Sequence, residues 1–219
     1  MAMTLDLFDP QTPEPWLERE ADGVFVLRRF ASARAKDLLD SIAEIAGQAS
    51  FRQMVTPGGH RMSAAMTCAG PLGWVTDRAG YRYQRQDPQT GRTWPTMPDG
   101  FIQLAENAAE EAGFSGFVPD ACLINRYQPG AKMGLHQDRD EQDFAWPIVS
   151  VSLGLPIVFQ MGGRRRSDKP RRILLEHGDV LVWGGPARLN YHGVLTLKAG
   201  DHPLTGPYRY NLTFRRAGE

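Results

Sequence analysis

The stretch Asn125-Arg126-Tyr127-Gln128-Pro129-Gly130-Ala131-Lys132-Met133-Gly134-Leu135-His136-Gln137-Asp138-Arg139-Asp140 organises the reading of the whole chain. A Pro-Gly turn separates an asparagine and a tyrosine from a histidine and a carboxylate two residues apart. On an extended segment, side chains alternate with period two, so His136 and Asp138 can converge on one face. An imidazole and a carboxylate, completed by a second and distant histidine, make the facial triad that holds non-haem Fe(II) and leaves positions open for chemistry. The rest of the chain must then supply that third ligand.

Composition narrows the possibilities. With 219 residues the chain suits one full core, and a single domain over 1–219 is expected. Two cysteines, Cys68 and Cys122, are too few for a disulfide framework and show no metal-binding spacing, which suits a reducing, cytoplasmic setting. The N-terminus lacks a signal-peptide pattern, and no run is long and apolar enough for a membrane span, so no membrane partner is expected. Basic and acidic residues balance at 25 each, so no global cationic field announces nucleic acid, and phosphate contacts would have to come from local patches.

Working outward, residues 1–22 are rich in proline and acid and read as an extended arm. Gly23–Phe30 reads as a strand. Ser32 can cap a following helix whose Leu38, Leu39, Ile42, Ile45 and Ala46 recur at helical spacing before Gly47. Residues 51–98 lack sustained periodicity and carry Met54, Met62, Met66, Trp74, Tyr81, Tyr83 and Trp94. They are either an irregular packed cover or an adaptable lid, since methionine and aromatic surfaces accommodate flat ligands. A second helix spans Asp99 to about Ala112, with Gly113 as its stop. Seven short strands follow: 121–127, 148–153, 157–161, 172–175, 179–183, 189–194 and 208–214. Two helices followed by strands at this spacing predict a mainly β, α+β fold, a double-sheet jelly roll (double-stranded β-helix) over about 119–216 buttressed by N-terminal helices.

His192, in Leu189-Asn-Tyr-His-Gly193, is the candidate third ligand. A histidine in a strand is by itself more often core packing; its combination with His136 and Asp138 on a β scaffold gives it meaning. In the last strand, Arg209, Asn211 and Arg215 share one face, and Tyr210, Leu212 and Phe214 share the other. Arginines pointing into a barrel are costly without anions, and a dicarboxylate cosubstrate would supply them through bidentate pairs. An edge strand with solvated arginines is the alternative.

Together, Asn125-x-Tyr127-x2-Gly130-x5-His136-x-Asp138, His192 and Arg209-x-Asn211-x3-Arg215 resemble the AlkB family of Fe(II)- and 2-oxoglutarate-dependent dioxygenases. The likeness extends through Phe51–Gly59, Pro119–Asn125, Ile148–Leu155 and Leu174–Asp179. It implies that His136, Asp138 and His192 bind iron and that Asn125, Tyr127, Arg209, Asn211 and Arg215 hold 2-oxoglutarate. It makes 51–98 a nucleotide-recognition lid in which Met66, Trp74 and Tyr81 meet the nucleotide, with Trp74 and His136 on the two faces of the base. Asp140 and Arg166 match positions near base and strand, and Trp183 lies near the pocket. The implied reaction consumes O2 and 2-oxoglutarate and strips methyl groups from bases such as 1-methyladenine and 3-methylcytosine as formaldehyde. The implied partner is alkylated single-stranded DNA, with duplex DNA and RNA also open, and the enzyme is expected to be a monomer. Arg164-Arg-Arg166 with Lys169, Arg171 and Arg172 is the candidate phosphate patch. The sequence departs from the family pattern at His60, where a tyrosine is expected, and at Met133-Gly134, where Leu-Ser is expected. Rival readings are a dioxygenase of proteins or small molecules and a lesion-binding module without turnover.

Overall fold

A seven-stranded antiparallel sheet forms the spine of the protein, which is described over residues 14–218 by a computed structural model. In chain order its elements are β1 (Trp16–Ala21), β2 (Val24–Arg28), α1 (Ala35–Gln48), β3 (Ala65–Ala69), β4 (Gly73–Asp77), β5 (Gly80–Gln84), α2 (Asp99–Glu111), β6 (Ala121–Tyr127), β7 (Met133–His136), β8 (Ile148–Gly154), β9 (Ile157–Met161), β10 (Arg171–Leu175), β11 (Val180–Trp183), β12 (His192–Val194) and β13 (Arg209–Arg215). The large sheet runs β1-β2-β11-β8-β13-β6-β3, a smaller one runs β10-β9-β12-β7, and β4-β5 is a separate hairpin. The two larger sheets make the expected double-stranded β-helix.

Alternation along the strands sends residues into two different cores. Val180 and Val182 of β11, with Leu212 and Phe214 of β13, face the helices and meet Leu38, Ile42, Ile45, Phe101 and Leu104. Leu181 and Trp183 face the other way, with Phe159, Ile173 and Leu175. Burying each such side chain contributes roughly 1.5–3 kcal/mol, so the helix stripes buttress the large sheet and leave its inner face for a site. Phe101 of α2 meets Phe214 edge-on, with ring centroids 5.8 Å apart.

Several sequence expectations need correction. Residues 1–13 of the expected arm lie outside the described residues, but Trp16–Ala21 is a strand paired with β2, where Arg28 bonds Glu18. Ser32 makes no capping hydrogen bond; residues Ser32–Arg34 form a 3-10 turn ahead of α1, and Ser32 packs against Gly178 instead. Gly47 does not stop α1, which runs through it to Gln48. Gly113 does end α2, at φ 84°, where the amide of Phe114 returns to the carbonyl of Ala109. Residues 51–98 are more ordered than their texture suggested. β3 completes the large sheet beside β6, and Trp74 and Tyr83 face each other across the β4-β5 hairpin. Trp94 is buried against Gly73, so it packs the base of the hairpin and does not reach the cavity.

Candidate active site

His136 ends β7 and His192 begins β12, and the two are direct partners in the small sheet. A Cβ on Gly193 would lie 2.6 Å from the Met133 carbonyl oxygen, so a glycine after His192 lets the two strands approach. The imidazole centroids are 4.4 Å apart. Asp138, just past β7, lies 3.5 Å from His136 Nε2 and 3.7 Å from His192 Nε2. The three donor atoms fall within 4.8 Å of one another, and no other such trio occurs among the described residues.

The second ring nitrogens fix the chemistry. His136 Nδ1 lies 2.9 Å from the Gly134 carbonyl and His192 Nδ1 lies 3.0 Å from the Asn190 carbonyl. A carbonyl only accepts, so both Nδ1 atoms carry the proton and both Nε2 lone pairs face Asp138, the orientation a metal ligand needs. Burial and the neighbouring His192 hold His136 below the ordinary histidine range, which keeps it neutral. Burial works against ionising Asp138, but the Arg215 guanidinium beside it favours the charged form, and the carboxyl is held well below its usual range. Two imidazoles with their Nε2 atoms turned inward and a carboxylate are the donor set a divalent iron accepts.

β13 lines the same cavity. Arg209, Asn211 and Arg215 all point inward and are buried, so the solvated-edge alternative fails. Their surroundings differ. Arg215 donates from Nη2 and Nε to Asp138 Oδ2 at 2.6 and 3.0 Å. Arg209 has no carboxylate: Nη2 donates to Ser152 Oγ at 2.9 Å, and Nε and Nη1 have no partner. Burial lowers its guanidinium to about 10 and pushes the Tyr127 phenol up to about 12. Asn125 donates to Asn211 Oδ1 at 3.2 Å and leaves its own carbonyl oxygen unpaired. Unsatisfied buried donors facing a cavity of about 530 Å³ fit an absent anionic ligand such as a dicarboxylate.

Every sequence-predicted site residue lines this cavity, including Met66, Trp74, Tyr81, Asp140, Arg166 and Trp183. At the mouth, Trp74 stacks on Tyr81 with centroids 5.7 Å apart and donates from Nε1 to Asp140 Oδ2 at 2.8 Å. Trp183 lies behind His192, with its indole N–H unpaired. The phosphate-patch reading is thinned: Arg165 bonds Asp168 and Arg171 bonds Glu20, whereas Arg166 reaches the cavity mouth.

Sequence reasoning missed Ser150 and Ser152, although their alternation within Ile148–Leu153 was a readable signal of an inward polar face. It also missed Glu141, Tyr83 and Arg188, whose mutual contacts join distant segments and leave no periodic trace. Glu141 forms ion pairs with Arg188 at 3.1 Å and Arg215 at 3.2 Å, and accepts a hydrogen bond from the Tyr83 hydroxyl at 2.8 Å.

Residues 23–215 match the family described as the 2OG-Fe(II) oxygenase superfamily. The chain is 60% identical over 215 residues to the alpha-ketoglutarate-dependent dioxygenase AlkB of Salmonella typhimurium, covering 98% of this chain and 99% of that protein. It is 46% identical over 181 residues to the AlkB homolog of Caulobacter vibrioides, covering 82% and 80% of the two chains. Among solved structures, that of OsALKBH1 superposes with a TM-score of 0.82 at 29% identity, covering 92% of this chain and 100% of that one.

Proposed function

This chain belongs to the AlkB dioxygenases of the 2OG-Fe(II) oxygenase superfamily, which use Fe(II), 2-oxoglutarate and O2, and we propose that it repairs N-alkylated nucleobases by oxidative demethylation. One juxtaposition carries the reading. A three-donor cluster shares its cavity with a buried Arg209 that lacks an anionic partner, and Trp74 and Tyr81 stand at the mouth. Base, cosubstrate and metal each have a matching wall.

In this reading His136, Asp138 and His192 hold the iron, and Asn125, Tyr127, Arg209, Asn211 and Arg215 bind 2-oxoglutarate. Arg209 offers its unpaired donors to one cosubstrate carboxylate. Iron and 2-oxoglutarate, when bound, would let O2 act as the oxidant, one oxygen atom hydroxylating an N-methyl group and the other entering succinate as 2-oxoglutarate loses CO2. The hydroxymethyl group is then lost as formaldehyde, and the nitrogen recovers its proton or lone pair. The protein positions the methyl group and keeps the site dry. Met66 and Trp183 form apolar wall, both almost fully buried. Trp74 turns from Tyr81 to stack on the base, with His136 on its other face; a stacked aromatic contributes roughly 1–3 kcal/mol per base.

Asp140 selects. 1-Methyladenine and 3-methylcytosine are cationic, and a carboxylate at the mouth favours them over neutral bases. A base inside a duplex must first be flipped, so single-stranded DNA is the preferred partner, with duplex DNA and RNA as poorer ones. Arg166 contacts the strand. We place the enzyme in the cytoplasm as a monomer. Within the described residues, no helix is long and apolar enough to cross a membrane.

The test is formaldehyde release from a single-stranded oligonucleotide carrying 1-methyladenine, alongside anaerobic titration with Fe(II) and 2-oxoglutarate. Stoichiometric formaldehyde and a weak visible charge-transfer band are expected, both lost in His192→Ala. Formaldehyde from a methylated peptide but not from the oligonucleotide would replace this reading with the protein-directed one.

A further inference from the structure

The β4-β5 hairpin touches the segment after Asp138 at two points. Trp74 and Tyr83 are cross-strand partners and therefore share one face of the hairpin. They donate to successive acids, Trp74 Nε1 to Asp140 and Tyr83 Oη to Glu141, each at 2.8 Å. The two contacts differ in setting. The Trp74 contact sits at the exposed mouth, where an incoming base competes for both groups. The Tyr83 contact ends on a Glu141 side chain that is only 2% exposed.

Glu141 is a junction. Oε1 accepts from Tyr83 and lies 3.2 Å from Arg215 Nε; Oε2 lies 3.1 Å from Arg188 Nη2. Arg215 in turn grips the Asp138 carboxylate, and Arg188 Nη1 donates to the Asp138 main-chain carbonyl at 3.0 Å. Both guanidiniums that contact Glu141 therefore also hold Asp138, one by its side chain and one by its backbone. A buried carboxylate between two guanidiniums confines them, because each charge would be costly to leave unpaired.

We propose that Glu141 is a positioning residue through which docking of the hairpin by Tyr83 fixes Arg215 and Arg188 on Asp138, so that lid closure and metal binding stabilise each other. The Trp74–Asp140 contact is then the exchangeable half of the closure, free to open for a base, while Tyr83–Glu141 stays made. Because binding couplings are reciprocal, metal should tighten the hairpin as much as the hairpin tightens metal. The inference rests on the metal site proposed above.

Tyr83→Phe is the variant of choice, since it removes one hydroxyl and keeps the ring. Co(II) serves as the probe, titrated by its visible absorption with neither cosubstrate nor oligonucleotide present. Hydrogen exchange of residues 73–84 is followed with and without Co(II). The expected result is Co(II) binding weakened about fivefold or more in Tyr83→Phe, within the usual range of coupling between sites. Co(II) should also slow exchange in the wild-type hairpin and fail to do so in the variant. Arg82→Gln is the control. It breaks the Arg82–Asp77 ion pair within the hairpin, leaves the Glu141 contact in place, and should bind Co(II) as the wild type does. Wild-type affinity in Tyr83→Phe, or equal weakening in Arg82→Gln, overturns the tie. Undiminished Co(II) binding in His192→Ala overturns the metal site itself, which distinguishes the two failures.

Discussion

Replacing Arg209 by methionine should make the ligand-free protein more stable and the enzyme much poorer. The Arg209 side chain is buried at 1% exposure, with one hydrogen bond to a serine hydroxyl and the Tyr127 ring 5.5 Å away. A guanidinium lowered to about 10 is still charged at neutral pH, so the apo fold carries a buried cation with two unmet donors. Exchanging a buried ionic group for an apolar one of similar volume typically stabilises by about 1–3 kcal/mol. At roughly 2–4 °C per kcal/mol for a chain of this size, the apo Tm should rise by roughly 2–12 °C. Cosubstrate binding should move the other way. Loss of one partner from a desolvated charge pair costs about 3–5 kcal/mol, or about 10²–10³-fold or more in Kd. Thermal melts of wild type and Arg209→Met, each without ligand, with Mn(II) alone and with Mn(II) plus 2-oxoglutarate, read both effects. Over the shift from Mn(II) alone, 2-oxoglutarate at a hundred times its wild-type Kd should stabilise the wild type by about 2.7 kcal/mol and the variant by about 0.4 kcal/mol or less. A variant that melts below the wild type without ligand, or that keeps the full ligand shift, would refute the argument that Arg209 awaits an anion.

Three further outcomes are expected. Asp140→Ala should slow demethylation of cationic 1-methyladenine more than that of neutral etheno adducts, measured as kcat/KM on matched oligonucleotides; equal slowing would remove Asp140 from base selection. The salt dependence of single-strand binding should weaken by roughly 0.7 in log–log slope in Arg166→Ala, and by less in Arg165→Ala or Arg171→Ala, because those two already pair with Asp168 and Glu20. Burial and the neighbouring His202 hold the His177 imidazole below its ordinary range, while its Nδ1 accepts the Gly154 amide. The unfolded chain therefore takes up a proton that the fold resists, so stability is full above the unfolded pKa and is lost as pH falls through it. His177→Asn keeps the acceptor and lacks the titration, so its Tm should drop less between pH 7 and pH 5.

The sequence by itself determined the elements whose pattern is local. The stripe from Leu38 to Ile45, the Asp99–Glu111 helix with its Gly113 stop, and the short strands between turn residues follow from periodicity and backbone preference. So does the shared face of Arg209, Asn211 and Arg215 on β13, because the three sit at even spacing, although only their burial shows that this face points inward. The candidate ligands were legible for the same reason: residue type and spacing along an extended chain carry them. Tertiary structure decided everything that depends on which distant segments meet. It put His192 opposite His136 by strand register, a relation that the 53 residues between Asp138 and His192 do not encode locally. Residues 51–98 became a sheet strand and a hairpin, because β3 finds its partner in β6 and not in its neighbours. The two β13 arginines received different roles, Arg215 held by Asp138 and Glu141 and Arg209 left waiting, although in sequence they look alike. Glu141 shows the reason most plainly. Its significance lies in three partners from three separate segments, and contacts of that kind exist only once the chain has closed on itself.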